Sequence, residues 1–87
     1  VRSAAATYAQ RKIRVNAVAP GLTDTKLSSN ITKSEALLGA AVSMIPMKRI
    51  NEPDEIAEAM FWLLTGAPDN LTGQILHLDG GMKHVRN

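Results

Sequence analysis

The sequence predicts an α/β domain with parallel strands, and three observations predict it. Two short apolar runs, Ile13 to Ala19 and Gln74 to Leu78, have the β-branched and aliphatic make-up of strands. About 55 residues with helical patterning separate them, which implies a crossover connection and hence parallel pairing. Pro20-Gly21 and Asp79-Gly80-Gly81 end the two runs abruptly. A two-stranded sheet is not stable on its own. The chain also opens at Val1 rather than Met, in the middle of a helix-like stretch, so it reads as a piece of a larger domain.

Each element has a local reason. Val1 to Lys12 is Ala-rich, with Val1, Ala4, Ala5 and Tyr8 on one face, which predicts a helix. The near-continuous apolarity of Ile13 to Ala19 suits a strand covered on both faces. Leu22 to Ile31 is polar and predicts a loop with a short helical turn. Thr32 to Glu35 has capping-box spacing ahead of a helix over Ala36 to Met44, ended by Pro46. Pro53 suits the first position of the next helix, with Asp54, Glu55 and Glu58 near its positive end. Ile56, Met60, Leu63 and Leu64 form the expected apolar stripe of that helix, and Gly66-Ala67-Pro68 stops it. Met82 to Asn87 reads as a polar, mobile tail.

Composition removes several functional classes. The chain has 87 residues, 45% of them apolar, which is too apolar for a disordered segment and too short for two domains. Only Tyr8, Phe61 and Trp62 are aromatic. A net charge of +2, with basic residues scattered except Arg11, Lys12 and Arg14, gives no nucleic-acid signature. No cysteine is present, so a disulfide framework is excluded and a cytosolic origin allowed. No apolar run approaches the roughly 18 residues that span a bilayer. His77 and His84 have no Cys and no helical pairing, so no metal site is expected.

Three motifs in order carry a resemblance. The first is R-V-N-x-V-x-P-G with a later Thr: Arg14, Val15, Asn16, Val18, Pro20, Gly21 and Thr25. The second is P-x-x-R-x-x-x-P-x-E-I-A, at Pro46, Arg49, Pro53, Glu55, Ile56 and Ala57. The third, T-G-Q-x-x-x-L-D-G-G, runs from Thr72 to Gly81. Together they resemble the C-terminal third of a classical short-chain dehydrogenase/reductase. The resemblance implies residues 1–87 of a single Rossmann-like, doubly wound parallel domain, with two strands and three to four helices present. It also implies an NAD(P)-dependent oxidoreductase that interconverts an alcohol and a carbonyl, cytoplasmic and a homo-oligomer (dimer or tetramer). A binding or assembly role without catalysis is the alternative.

By that resemblance the cofactor-side residues are Pro20, Gly21, Leu22, Thr23 and Thr25. Pro20 has no N–H to leave unpaired, and Gly21 lets the main chain approach a flat ring. The main chain at Thr23 would hold the nicotinamide carboxamide. The Thr25 hydroxyl would contact the carboxamide or phosphate region. Residues 22–47 would form the substrate lid, with Leu27, Met44 and Met47 lining it, although packing is the alternative for the two methionines. A small carbonyl or alcohol substrate is implied, with NAD or NADP as cofactor.

Asn16 is expected to tie neighbouring segments together, because a buried amide needs partners. Asp79 reads either as the cap of a turn or as a contact to substrate or another subunit. Phe61 and Trp62 suit either a subunit interface or packing on the sheet. Tyr8 and Lys12 show the Y-x-x-x-K spacing of the family's catalytic pair, yet Tyr8 precedes Pro20 by only 12 residues where the family needs roughly 30. No catalytic residue is therefore assigned in this chain. The catalytic Ser, Tyr and Lys, and the glycine-rich dinucleotide turn, are expected upstream of Val1.

Overall fold

The computed structural model describes residues 1–85. Helix α1 (Arg2–Tyr8) tightens into a 3₁₀ turn over Ala9–Arg11 and reverses at Lys12, whose φ of 61° is left-handed. Strand β1 (Ala17–Pro20) follows. A 3₁₀ turn at Lys26–Ser28 leads into the short α2 (Ser29–Thr32), then α3 (Glu35–Ser43), α4 (Pro53–Thr65) and β2 (Ile75–Leu78). The strands pair in parallel, Ala17 opposite Ile75 and Pro20 opposite Leu78. Helix α4 packs against β1, and α2 against α3.

The first strand is shorter than expected. Residues 13–16 are not strand: one main-chain bond, Gly73 N–H to Val15 O at 2.9 Å, remains there, and side chains supply the rest. The Val15 N–H donates to Thr72 Oγ1 at 3.1 Å, and the Asn16 amide bridges Leu71 O and Gln74 N at 2.9 and 3.0 Å. Asn16 thus does tie two segments together. Pro20 belongs to the strand rather than ending it. Ala17 and Gly21 donate their N–H groups to Gln74 O and Leu78 O, so alternation turns position 20 away from β2 and proline costs the ladder nothing.

Three further expectations are corrected. Thr32 does not cap α3; it ends α2, and the cap is Ser34, whose hydroxyl accepts from Leu37 N–H at 3.3 Å. Of the α4 stripe, Leu63 is buried and Ile56 half-buried, whereas Met60 and Leu64 face solvent. The tail as far as Val85 is not loose. Val85 N–H donates to Gly81 O, and Lys83 N–H to the Asp79 carboxylate, which folds it into a turn. Arg86 and Asn87 lie outside the described residues.

The interior is thin. Among the described residues only Ala5, Ile45, Leu63 and Ala67 are buried apolar residues. The accessible surface is 6593 Å², against about 5000 Å² for a self-contained protein of this mass. Phe61 (68% exposed), Trp62, Leu64 and Ile75 lie open on α4 and β2. Packing of Phe61 and Trp62 on the sheet, one of the two readings above, is therefore not what the fold does with them. Gly66 instead lies under the Trp62 ring, where a Cβ would come within 2.9 Å of its Cδ1.

Candidate functional site

At the C-terminal ends of β1 and β2, four segments meet. The carbonyl of Leu78 accepts from Gly21 N–H at 2.9 Å and from Asn51 Nδ2 at 2.6 Å. Asn51 N–H donates to Leu22 O, and Asp24 N–H to Asn51 O, both at 2.9 Å, which makes an isolated parallel bridge between Thr23 and Asn51. Residues 22–24 are thus strapped to the return segment that follows α3. Neither the Leu22 nor the Thr23 N–H finds an acceptor among the described residues.

Gly21 owes its place to β2. A Cβ there would lie 2.9 Å from Asp79 Cβ and 3.0 Å from Asp79 Cα. The close approach that requires glycine is thus to the neighbouring strand end. Asp79 is a cap: Oδ1 accepts from Gly81 N–H at 3.0 Å and Oδ2 from Lys83 N–H at 3.3 Å. Its carboxylate is occupied in holding the turn, in which Gly80 and Gly81 have φ of 65° and 92°.

Thr25 lies apart from the strand ends, in an extended conformation (φ −134°). Its N–H donates to Ser28 Oγ at 3.1 Å, and the two hydroxyls are 3.4 Å apart. Ser28 Oγ also reaches Thr23 O, which draws the two threonines together. Leu27 is 97% exposed, and Met44 and Met47 are also exposed. Met47 N–H donates to Gly80 O at 3.0 Å, and Ile45 is buried against Gly80, so the C-terminal end of residues 22–47 is fixed at the Asp79 turn.

The return segment is also held at α4. Arg49 pairs with both carboxylate oxygens of Glu55 (2.7 Å to Oε1), while Glu55 Oε1 accepts from Glu52 N–H at 2.9 Å. The hydrogen bonds from Arg49 first, and from the Glu52 amide second, pull the Glu55 carboxyl down to about 2. At the other end of α4, Arg14 donates to Leu63 O and Pro68 O at 3.3 and 3.2 Å. Its positive charge meets the negative pole of the helix there.

A concavity of about 550 Å³ lies elsewhere. It is lined by Lys12, Ile13, Arg14, Asp69, Asn70 and Thr72, beside the residues that precede the strands. Tyr8 lies at this end as well, its carbonyl accepting from Ile13 N–H. Ligands of open α/β sheets bind outside the opposite, carboxyl ends. The Pro20–Thr25 turn is therefore the better candidate. Among the described residues, no helix is long and apolar enough to cross a membrane.

A profile for enoyl-(acyl carrier protein) reductases matches residues 1–83. The chain belongs to the short-chain dehydrogenase/reductase family. It is 45% identical over 82 residues to carbonyl reductase family member 4 of Danio rerio, covering 94% of this chain and 32% of that protein. It is 44% identical over 82 residues to glucose 1-dehydrogenase of Gluconobacter oxydans, covering 94% and 31%. The NADP active-site complex of Pseudomonas aeruginosa RhlG superposes with a TM-score of 0.83 at 31% identity, covering 93% of this chain and 33% of RhlG. The chain thus spans about a third of the length of these short-chain dehydrogenase/reductase relatives.

Sequence reasoning misses two residues of this candidate site. Asn51 escapes it because a single polar residue before Pro53 carries no periodic signal. Ser28 was hidden in a polar loop, although a Thr-x-x-Ser spacing at 25–28 is a capping pattern. The two histidines, seven positions apart, come together edge to face, ring centroids 5.0 Å apart at 72°.

Proposed function

We propose that this chain is the C-terminal third of an NAD- or NADP-dependent oxidoreductase that interconverts an alcohol and a carbonyl. The observation that carries the reading is the Pro20–Thr25 turn. It is held at the carboxyl ends of a parallel pair, with the Leu22 and Thr23 amides unspent. Two unspent amide donors on a braced main chain suit the oxygen of a carboxamide. NADP in the related RhlG complex supports the same assignment.

In this reading Pro20 and Gly21 wall the nicotinamide, and the main chain at Leu22 and Thr23 receives its carboxamide. Thr25 contributes a hydroxyl nearby. The nicotinamide, when bound, supplies or takes the hydride. The chain's own work is to orient that ring and exclude water from it. Residues 22–47 form the substrate lid, and the exposed Leu27, Met44 and Met47 offer an apolar lining. The proton-transferring Ser, Tyr and Lys lie in the part of the protein that precedes this chain, and the 87 residues alone do not turn over. The substrate is a small carbonyl or alcohol. The relatives include both a carbonyl reductase and a glucose dehydrogenase, which supports the reaction class and selects no substrate.

The test is spectrophotometric. The intact, cytoplasmic protein should oxidise NADH or NADPH in the presence of at least one member of a broad carbonyl panel. No turnover with either cofactor, and no dinucleotide binding, would remove the reading. An assembly role is favoured separately by the open apolar face of α4, where Phe61, Leu64 and Trp62 are exposed. We read it as the interface of a dimer or tetramer. Light scattering that finds only monomer at micromolar concentration would exclude it.

A further inference from the structure

We infer that Asn51 is a positioning residue for the nicotinamide end of the cofactor, its side-chain donor fixing where the Leu22–Asp24 strap stands relative to β2. This rests on the functional reading above. Asn51 is 8% exposed and is the one buried polar residue among those described. It makes three bonds in one place. Its N–H and carbonyl bind Leu22 O and Asp24 N–H, on either side of Thr23. Its Nδ2 reaches Leu78 O at 2.6 Å, the same oxygen that receives Gly21 N–H.

The division of labour among these bonds is the argument. The two main-chain bonds would survive almost any residue at 51. They tie the strap to the return segment but not to the sheet. Of the three bonds at position 51, only that of the side-chain amide reaches the end of β2, beside the Gly21 N–H that shares its acceptor. The acceptor is a carbonyl, so position 51 must present a donor. The strap is where the unspent Leu22 and Thr23 amides stand, so a shift of the strap moves the groups that would receive the carboxamide. The return segment is independently pinned by the Met47–Gly80 bond and the Arg49–Glu55 pair. Loss of the Asn51 side chain therefore re-aims the strap without releasing the lid.

The test uses the intact protein, wild type and Asn51→Asp, titrated calorimetrically with the reduced dinucleotide and with ADP-ribose, its nicotinamide-free counterpart (the 2′-phosphate forms if NADP is preferred). At pH 8 the aspartate is charged, cannot donate, and faces a carbonyl. Dinucleotide affinity should fall about tenfold or more, the scale of a buried partner left unmatched. ADP-ribose affinity should stay within about twofold. As pH falls towards 5 and below, the carboxyl, raised above its ordinary range of about 3.9 by burial against a carbonyl, protonates and regains a donor, and the loss should shrink. Asn51→Ala, which keeps both main-chain bonds and has no side-chain donor, should show the same selective loss without the pH dependence, and it serves if the aspartate variant fails to fold. Equal losses for both ligands would show a general structural role and overturn the inference, as would no loss. Wild-type protein that binds neither dinucleotide would overturn the functional reading first, and this one with it.

Discussion

A Cβ on Gly21 would stand 2.9 Å from the Cβ of Asp79, closer than side-chain carbons pack. The carboxyl ends of β1 and β2 meet this closely only because one of them has no side chain. Gly21→Ala should force the strand ends apart and destabilise the intact protein by about 1–3 kcal/mol, the usual cost of overpacking. Cofactor affinity should weaken with it, since the Pro20–Thr25 turn begins at this contact. Thermal denaturation checks the first effect; an unchanged melting temperature would show that the ends can separate freely.

Asn16 spans two backbone groups of the opposite segment, Leu71 O and Gln74 N–H. Asn16→Ala leaves both without that partner and should cost about 1–3 kcal/mol. The sharper readout is hydrogen exchange at the Gln74 amide. It should accelerate in the variant more than amides within α4 do. Uniform acceleration would mean that the bridge has no local role.

Arg14 binds two carbonyls at and beyond the last turn of α4, Leu63 O and Pro68 O. Arg14→Met keeps most of the aliphatic stem and removes the charge and both donors. It should lower stability by about 0.5–1.5 kcal/mol. Arg14→Lys should recover only part, since one ammonium does not reproduce the guanidinium fork. Urea denaturation of the three proteins gives the order, and full recovery by lysine would show that charge alone matters.

The Glu55 carboxyl is held down to about 2, first by the Arg49 hydrogen bonds and then by the Glu52 amide. A carboxyl depressed on folding stabilises the protein above its unfolded value, ordinarily near 4.5, and loses that contribution as pH falls towards 2. The difference in melting temperature between wild type and Glu55→Gln should therefore be largest near pH 7 and shrink as pH drops from about 4.5 towards 2. Salt should reduce it too, because the pair is partly exposed. A difference that grows on acidification would contradict the assignment.

Much of this was legible in the chain itself. Two apolar runs far apart required a crossover, and the strands are parallel. Pro53 stood at the first position of a helix because its missing N–H is not needed there, and α4 begins at Pro53. Asn16 announced its bridging role, because an amide among apolar neighbours must be satisfied. These are local rules, decided by a few adjacent residues. The misreadings have a common cause. Thr32 has the spacing of a cap but ends the preceding turn, and Met60 and Leu64 lie on an apparent core stripe that nothing among the described residues covers. Spacing marks a candidate, and three-dimensional neighbours decide whether it is used.

The sequence by itself determined the parallel α/β class, because strand pattern and Pro-Gly punctuation act over a few residues, and the family, because its three motifs stand in order along the chain. Only the tertiary structure decided that Gly21 answers to Asp79, that Arg14 closes α4, and that Asn51 joins the turn to the end of β2. Those partners lie 27 to 58 positions apart along the chain. A hydrogen bond or a missing Cβ across such a distance has no period and leaves no local trace.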